Sequence, residues 1–218
     1  RKKKDSSISR SVEMVKAVVG PTGSVSLDEA NRRLLVVATD ECHAQVANML
    51  RKLDVPAPVF AEGLALVGTR LFQITWKHET AYTYDRDTFK KGPSFSYTGE
   101  GWGLCHDGRE IVMSDGSARL TFRGPETFRA MREVVVRDAG QPVDQLNELE
   151  CVGPHVYANV WMTDRIVRVD PKTGTVTATI DASNLLPPAE RYGTDVLNGI
   201  AHDPSNDTNE IFAAAELQ

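Results

Sequence analysis

Four stretches of this chain align with one another, and that repeat limits the fold more than any other feature. "EGLALVGTRLFQITW" begins at Glu62, "WGLCHDGREIVMSDG" at Trp102, "NELECVGPHVYANVW" at Asn147, and "NGIAHDPSNDTNEIFAAAE" at Asn198 with a longer turn. Leu71, Ile111, Val156 and Ile211 then fall in register at intervals of 40, 45 and 55 residues. Downstream, "DRDTF", "GPETF" and "DPKTG" align as the turn between two outer strands. A period of roughly 40–50 residues holding about four strands is the signature of a β-propeller blade. The expected fold is mainly β, a β-propeller with four recognisable blades over residues 59–218, the last incomplete at its outer strands.

The strand-like runs support this. "LFQITW", "TAYTYD", "EIVMSD", "ARLTF", "HVYANVW", "RIVRVD", "TVTATID" and "EIFAAA" recur between turn signals after residue 60, where helical periodicity disappears. Before "LDVPAPV" (53–59) the pattern differs and reads as a small α/β unit over residues 11–58. Ser11 can cap a short helix to about Val19, "GPTG" breaks it, and "SVSLD" and "RLLVVAT" read as strands. Thr39 or Asp40 can cap a second helix with Val46, Met49, Leu50 and Leu53 at helical spacing, which Pro56 and Pro58 end. Residues 1–10, with "RKKK" at their start, read as a solvated basic tail.

Composition removes several function classes. The net charge of −5 argues against nucleic acid as a partner, because phosphate binding needs a basic face. No stretch approaches the ~20 apolar residues of a membrane span, and the N-terminus, which opens on Arg1, has no apolar signal segment. Cys42, Cys105 and Cys151 have no metal-binding or redox spacing, so the expectation is buried, unpaired cysteines without a disulfide framework or a zinc site. His43, His78, His106, His155 and His202 are scattered, which disfavours metal or Ser-His chemistry. "DPSNDTNE" (203–210) lacks the glycine and spacing of a calcium loop and reads as a turn.

In a propeller, equivalent positions of successive blades surround one channel. Glu62, Trp102, Asn147 and Asn198 share one such position, at the entrance to the innermost strand; Trp76, Gly116, Trp161 and Glu216 share a second. A carboxylate, several aromatics and two carboxamides therefore converge at one mouth, with Trp102 as a wall. One proton-transferring group facing aromatic walls and amide hydrogen-bonders is the composition of a small-molecule site rather than of a water-filled channel.

Two resemblances to known families add to this. "GSVSLDEANRRLLVVAT", a following helix and "LDVP" resemble the short N-type ring-building domains of bacterial secretins over residues 11–58, through the Asp28–Asn31 turn and the "LDVP" exit. That implies self-association and no chemistry. Residues 60–203, with "EGLALVGTRLFQITWK", "YDRDTF", "YTGEGWGLCHDGREIVMSDGSARLTF", "LNELE", "YANVWMTDRIVRVDPKTG" and "VLNGIAHDP", resemble the five-bladed propeller glutaminyl cyclases of plants and bacteria. The resemblance implies conversion of N-terminal glutamine of peptides to pyroglutamate with release of ammonia and no catalytic metal or other cofactor. It makes Glu62 the proton-transfer residue, Trp102 and Trp161 walls for the glutamine side chain, Asn147 a hydrogen-bonder to its amide or backbone, and Trp76 the pocket floor, with Asn198 in the same ring. It also implies a periplasmic or secreted setting.

The chain departs from the family at both ends. The first-blade "F-T-Q-G" motif does not precede residue 60, and the family's "G-K-L-W" is met by "AELQ", with Glu216 at the lysine. A missing blade would remove pocket residues and expose sheet edges. A second reading therefore stands beside the enzyme: an assembly or binding protein that oligomerises through residues 11–58 and docks partners on the propeller. The abrupt change of pattern near residues 57–60 also fits a join of two unrelated reading frames.

Overall fold

The computed structural model describes residues 24–28, 33–37, 59–185, 194–202 and 211–217, with side chains described over 59–185 and 196–202. The regular structure of these residues is β-strand throughout. β1 (Ser24–Asp28) and β2 (Arg33–Val37) form an antiparallel hairpin with Ser24 opposite Val37 and Asp28 opposite Arg33. They are the two strands expected of "SVSLD" and "RLLVVAT". The basic tail, the two helices expected around this hairpin, Asn31, Cys42 and the turn at 203–210 lie outside the described residues.

The repeat then unfolds sheet by sheet. β3 (Ala61–Val67), β4 (Arg70–Thr75), β5 (Thr80–Asp85) and β6 (Phe95–Ser96) form one antiparallel meander. β7 (Leu104–His106), β8 (Ile111–Ser114), β9 (Arg119–Arg123) and β10 (Ala130–Val135) form the second. A short ribbon, β11 (Arg137–Asp138) and β12 (Gln141–Pro142), leads to the third, made of β13 (Leu146–Val152), β14 (His155–Val160), β15 (Arg165–Val169) and β16 (Val176–Asp181). β17 (Thr194–His202) and β18 (Ile211–Leu217) pair as a fourth, two-stranded sheet. The first strands of successive sheets are neighbours, β3 against β7, β7 against β13 and β13 against β17. These are four sheets of an incomplete β-propeller. Leu71, Ile111, Val156 and Ile211 each lie on the second strand of their sheet, as the alignment requires.

Strand alternation explains why the second strands are apolar on both faces. Successive side chains point to opposite sides of a sheet, and here each side meets another sheet. On β8, Ile111 and Met113 join Phe72, Ile74 and Leu104 in the core between the first and second sheets. Val112, between them in sequence, joins Leu146, Leu149, Val156 and Val167 in the core between the second and third. Ile166, Leu197 and Ile200 continue the series between the third and fourth. Fully burying one such side chain contributes about 1.5–3 kcal/mol, so packing between neighbouring sheets stabilises each of them.

The aligned turns share one backbone form. Phe89, Phe128 and Gly174 donate N–H to the carbonyls of Asp85, Gly124 and Asp170, each at 2.8 Å. All three have positive φ, of 53°, 55° and 76°. Phe128 tolerates this left-handed conformation because its ring is 1% exposed, stacked on Phe72 at 5.8 Å and under the Arg123 guanidinium at 4.9 Å.

Cys105 and Cys151 form a disulfide, with Cα atoms 5.5 Å apart across 46 residues of sequence. This corrects the expectation of unpaired cysteines. Local spacing could not show the bond, because it joins β7 to β13, strands that become neighbours only when the sheets pack. The aligned repeats did carry a signal: Cys151 stands one position beyond the equivalent of Cys105.

Candidate active site

The same irregularity recurs at the start of the innermost strands. Pairing between β3 and β4 shifts between Ala61 and Leu64, bracketing Glu62 and Gly63. Pairing between β13 and β14 shifts between Leu146 and Leu149, bracketing Asn147 and Glu148, and the β17–β18 ladder shifts between Leu197 and Ile200, bracketing Asn198 and Gly199. In the second sheet Trp102 and Gly103 sit just ahead of β7, held on Ser114 by Trp102 N–H to Ser114 O at 3.1 Å and Ser114 N–H to Gly103 O at 3.1 Å. Such bulges re-aim side chains. Here they take Glu62, Asn147 and Asn198 out of the regular in–out alternation at equivalent points of their sheets.

Close approach of the neighbouring strand requires glycine at the first of these bulges. A Cβ on Gly63 would lie 2.5 Å from the backbone nitrogen of Leu104, on the neighbouring innermost strand. Gly63 N–H instead donates to Trp102 O at 2.9 Å, which ties the Glu62 segment directly to Trp102. The next joint is made by Ser114, fully buried, whose Oγ donates to Asn147 O at 2.6 Å and accepts from Gly103 N–H at 2.8 Å. The third is made by Asn159, whose Oδ1 accepts from Gly199 N–H at 3.1 Å. Ser114 and Asn159 occupy equivalent places on β8 and β14, and each clasps the innermost strand of the following sheet.

Three indoles gather at this end. Trp102 meets Trp161 edge to face, with centroids 5.5 Å apart and planes at 84°. Gly116, with φ 81°, forms the seat of Trp102: a Cβ there would lie 2.6 Å from the indole. Trp76 stands edge to face with Phe60 at 6.0 Å, and Lys77 Nζ lies 3.9 Å above its ring. Trp76, Trp102 and Trp161 are all half-buried, and so are Glu62 and Asn198, while Asn147 is 5% exposed. The structure thus brings Glu62, Trp76, Trp102, Asn147 and Trp161 into one hydrogen-bonded and packed array. It places Asn198 at the equivalent position of the fourth sheet. Glu216 lies on β18, where side chains are outside the described residues.

Two residues of the array carried no role in the sequence argument. Glu100 Oε2 accepts from both Trp76 Nε1 (2.7 Å) and Trp102 Nε1 (2.9 Å), and its other oxygen lies 3.5 Å from Lys77 Nζ. Its partial burial alone would raise the carboxyl, but the indole donors, Trp102 ahead of Trp76, and Lys77 bring it below the ordinary carboxylate range. Tyr97, 6% exposed, donates its hydroxyl to Thr75 O and accepts from Thr75 N–H at 3.1 Å. Burial pushes the Tyr97 phenol up against these hydrogen bonds, and the nearby charge of Glu62 adds to the rise. "GEGWG" does display Glu100 beside Trp102, but the second indole it holds comes from another sheet. The Tyr97 clasp on Thr75 likewise spans 22 residues. Surface hollows of about 380 Å³ beside Arg70, Asp85 and Lys91, and of about 440 Å³ beside Arg119 and Val135, involve outer strands and not this array.

The two carboxylates suit different work. A proton shuttle acts best when its pKa lies near the working pH. Glu100, held anionic by three cationic or N–H partners, is a fixed acceptor. Glu62 lies in the bulge whose Gly63 N–H donates to Trp102 O.

Known proteins share this arrangement of sequence. A family model described as glutamine cyclotransferase matches residues 33–213. The chain belongs to the glutamine cyclotransferase family. The match begins at residue 33, ahead of the boundary near residue 59 read from the change of pattern. A glutaminyl-peptide cyclotransferase of Arabidopsis thaliana is 40% identical over 173 residues, which are 78% of this chain and 53% of that protein. The chain therefore spans about half the length of that relative. Among solved structures, the glutaminyl cyclase of Myxococcus xanthus matches with a TM-score of 0.65 and 38% identity, over 73% of this chain and 69% of that one. The family assignment agrees with the propeller, and it covers the sheets that carry the indoles.

Proposed function

We propose that this glutamine cyclotransferase converts N-terminal glutamine of peptides to pyroglutamate with release of ammonia. One observation carries the reading: Glu62, Trp102, Trp161 and Trp76, from three sheets, assemble at the bulged ends of the innermost strands. The glutamine side chain packs against the wall that Trp102 and Trp161 form together, Trp76 forms the floor, and Asn147 hydrogen-bonds the amide or the peptide backbone, with Asn198 in the same ring. Glu62 takes a proton from the α-amine as its nitrogen attacks the side-chain carboxamide carbon. A new C–N bond closes the five-membered ring. The original C–N bond then breaks as Glu62 passes the proton to the leaving nitrogen, which departs as ammonia. The step is intramolecular, so holding the reactive conformer between rigid walls supplies much of the acceleration. Proton transfer by Glu62 adds about 10²–10⁴-fold.

The decisive experiment measures ammonia release from a Gln-initiated dipeptide by the full chain and by Glu62→Gln. Release that falls by about 10²-fold or more in the variant supports the assignment. Equal rates in the two would remove Glu62 from the mechanism, and no release from folded wild-type protein would remove the activity.

The Cys105–Cys151 disulfide supports a periplasmic or secreted setting, since such bonds persist in oxidising compartments. Self-association through a unit spanning residues 11–58 is the companion proposal, supported by the β1–β2 hairpin where two strands were expected. A sedimentation measurement that finds only monomer at micromolar concentration would end it.

A further inference from the structure

We propose that Glu100 is the positioning residue of this site: its single oxygen Oε2 accepts both the Trp76 and the Trp102 indole N–H, at 2.7 and 2.9 Å, and so sets the angle of the floor and of one wall, which arise from different sheets. The inference rests on the reading of the site given above, but its structural half can be tested without it. An indole offers one donor and no acceptor. Bringing two of them to one point requires an acceptor with two lone pairs, and the negative charge of a carboxylate strengthens both bonds.

The surroundings favour the ionised form. Lys77 Nζ lies 3.5 Å from Glu100 Oε1 and 3.9 Å above the Trp76 ring, so the lysine closes the group from outside as both counter-ion and cation–π partner. Trp102, fixed by Glu100 on one side and seated on Gly116 on the other, is thereby held edge to face with Trp161 at 5.5 Å. Glu100 acts through the rings, not on the reacting atoms. A neutral amide in its place still accepts hydrogen bonds from the indoles, but weaker ones and without the ion pair to Lys77.

The chain's composition provides a clean readout. Its three tryptophans are Trp76, Trp102 and Trp161, all at this site, so tryptophan emission and near-ultraviolet dichroism of the indoles report on nothing else. Four forms of the full chain would be compared: wild type, Glu100→Gln, Glu100→Ala and Glu62→Gln. Glu100→Ala is expected to shift the emission and weaken the indole dichroism, and Glu100→Gln to fall between it and wild type. With a Gln-initiated dipeptide, Glu100→Ala should raise KM about ten- to a hundredfold, the range for a lost charge-assisted hydrogen bond, with kcat reduced far less. Glu62→Gln should show the opposite split, with wild-type emission and a collapse of kcat.

Wild-type emission and KM in Glu100→Ala would overturn the proposal. So would a loss of kcat in Glu100→Gln as deep as that in Glu62→Gln, since Glu100 would then be a proton carrier. If wild type releases no ammonia, the functional reading fails while the emission series still decides whether Glu100 holds the rings. Should Glu100→Ala not fold, the isosteric Glu100→Gln decides by the same two readouts.

Discussion

Glu100 and Glu150 both lose water on folding, yet their carboxyls move in opposite directions. Glu100, at the mouth, meets two indole N–H groups and Lys77 and ends below the ordinary range. Glu150, three residues beyond Asn147 on β13, is pushed up to about 7 by burial, which a hydrogen bond from the His202 backbone only partly opposes. Burial sets the default, and the number and charge of donors decide whether it prevails. The mouth is thus organised by directed polar contacts. The stretch a few residues along is held by burial and by the neighbouring Cys105–Cys151 bond.

The largest effect expected on this contrast comes from that bond. Replacing Cys105 and Cys151 with serine releases a loop of 46 residues and should lower unfolding free energy by about 4 kcal/mol in the chain-entropy model. Denaturant titration measures the loss, and folded-state tryptophan emission should stay as in wild type. A change in emission would show that the two regions are not separable.

Glu150 comes next. The folded protein holds its proton more tightly than the unfolded chain, whose carboxyl titrates near 4.5, so the stabilisation is complete at low pH and is lost as pH rises from about 4.5 to about 7. The loss is about 3 kcal/mol at most. Glu150→Gln should flatten stability across this window and leave the variant more stable than wild type at pH 8. A wild-type stability curve that rises between pH 5 and 7, and is unchanged in the variant, would contradict the burial argument.

Effects at the mouth are smaller in stability and larger in geometry. Gly116→Ala forces a side chain into a left-handed φ of 81° and against the Trp102 ring, at about 1–3 kcal/mol. Emission should move with it, as in Glu100→Ala. Ser114→Ala removes the donor to Asn147 O and leaves Gly103 N–H without its acceptor, for roughly 1–2 kcal/mol, read as a modest shift in thermal midpoint.

Much of this was legible before any coordinates, because a repeat is a statement about tertiary structure written in one dimension. Aligning Leu71 with Ile111, Val156 and Ile211 put all four on second strands, and the "DRDTF", "GPETF" and "DPKTG" turns took one backbone form. The same alignment put Glu62, Trp102 and Asn147 in one ring, since equivalent positions of packed sheets must be neighbours. The bulges were not legible, since they arise from strands crowding at the axis and not from a local signal. Neither was the partner of Glu100, whose second indole arrives from another sheet 24 residues upstream.

Strand order, turn chemistry and the ring of candidate residues followed from the sequence by itself, because each depends on period and residue type. The tertiary structure alone decided which groups distant in sequence meet: Cys105 with Cys151, Tyr97 with Thr75, and Trp76 with the Glu100 that also holds Trp102. Those contacts depend on distances between segments far apart in the chain. It also decided that one glutamate sheds its proton easily and the other keeps it, because donors and desolvation are properties of packed neighbours, not of the residue.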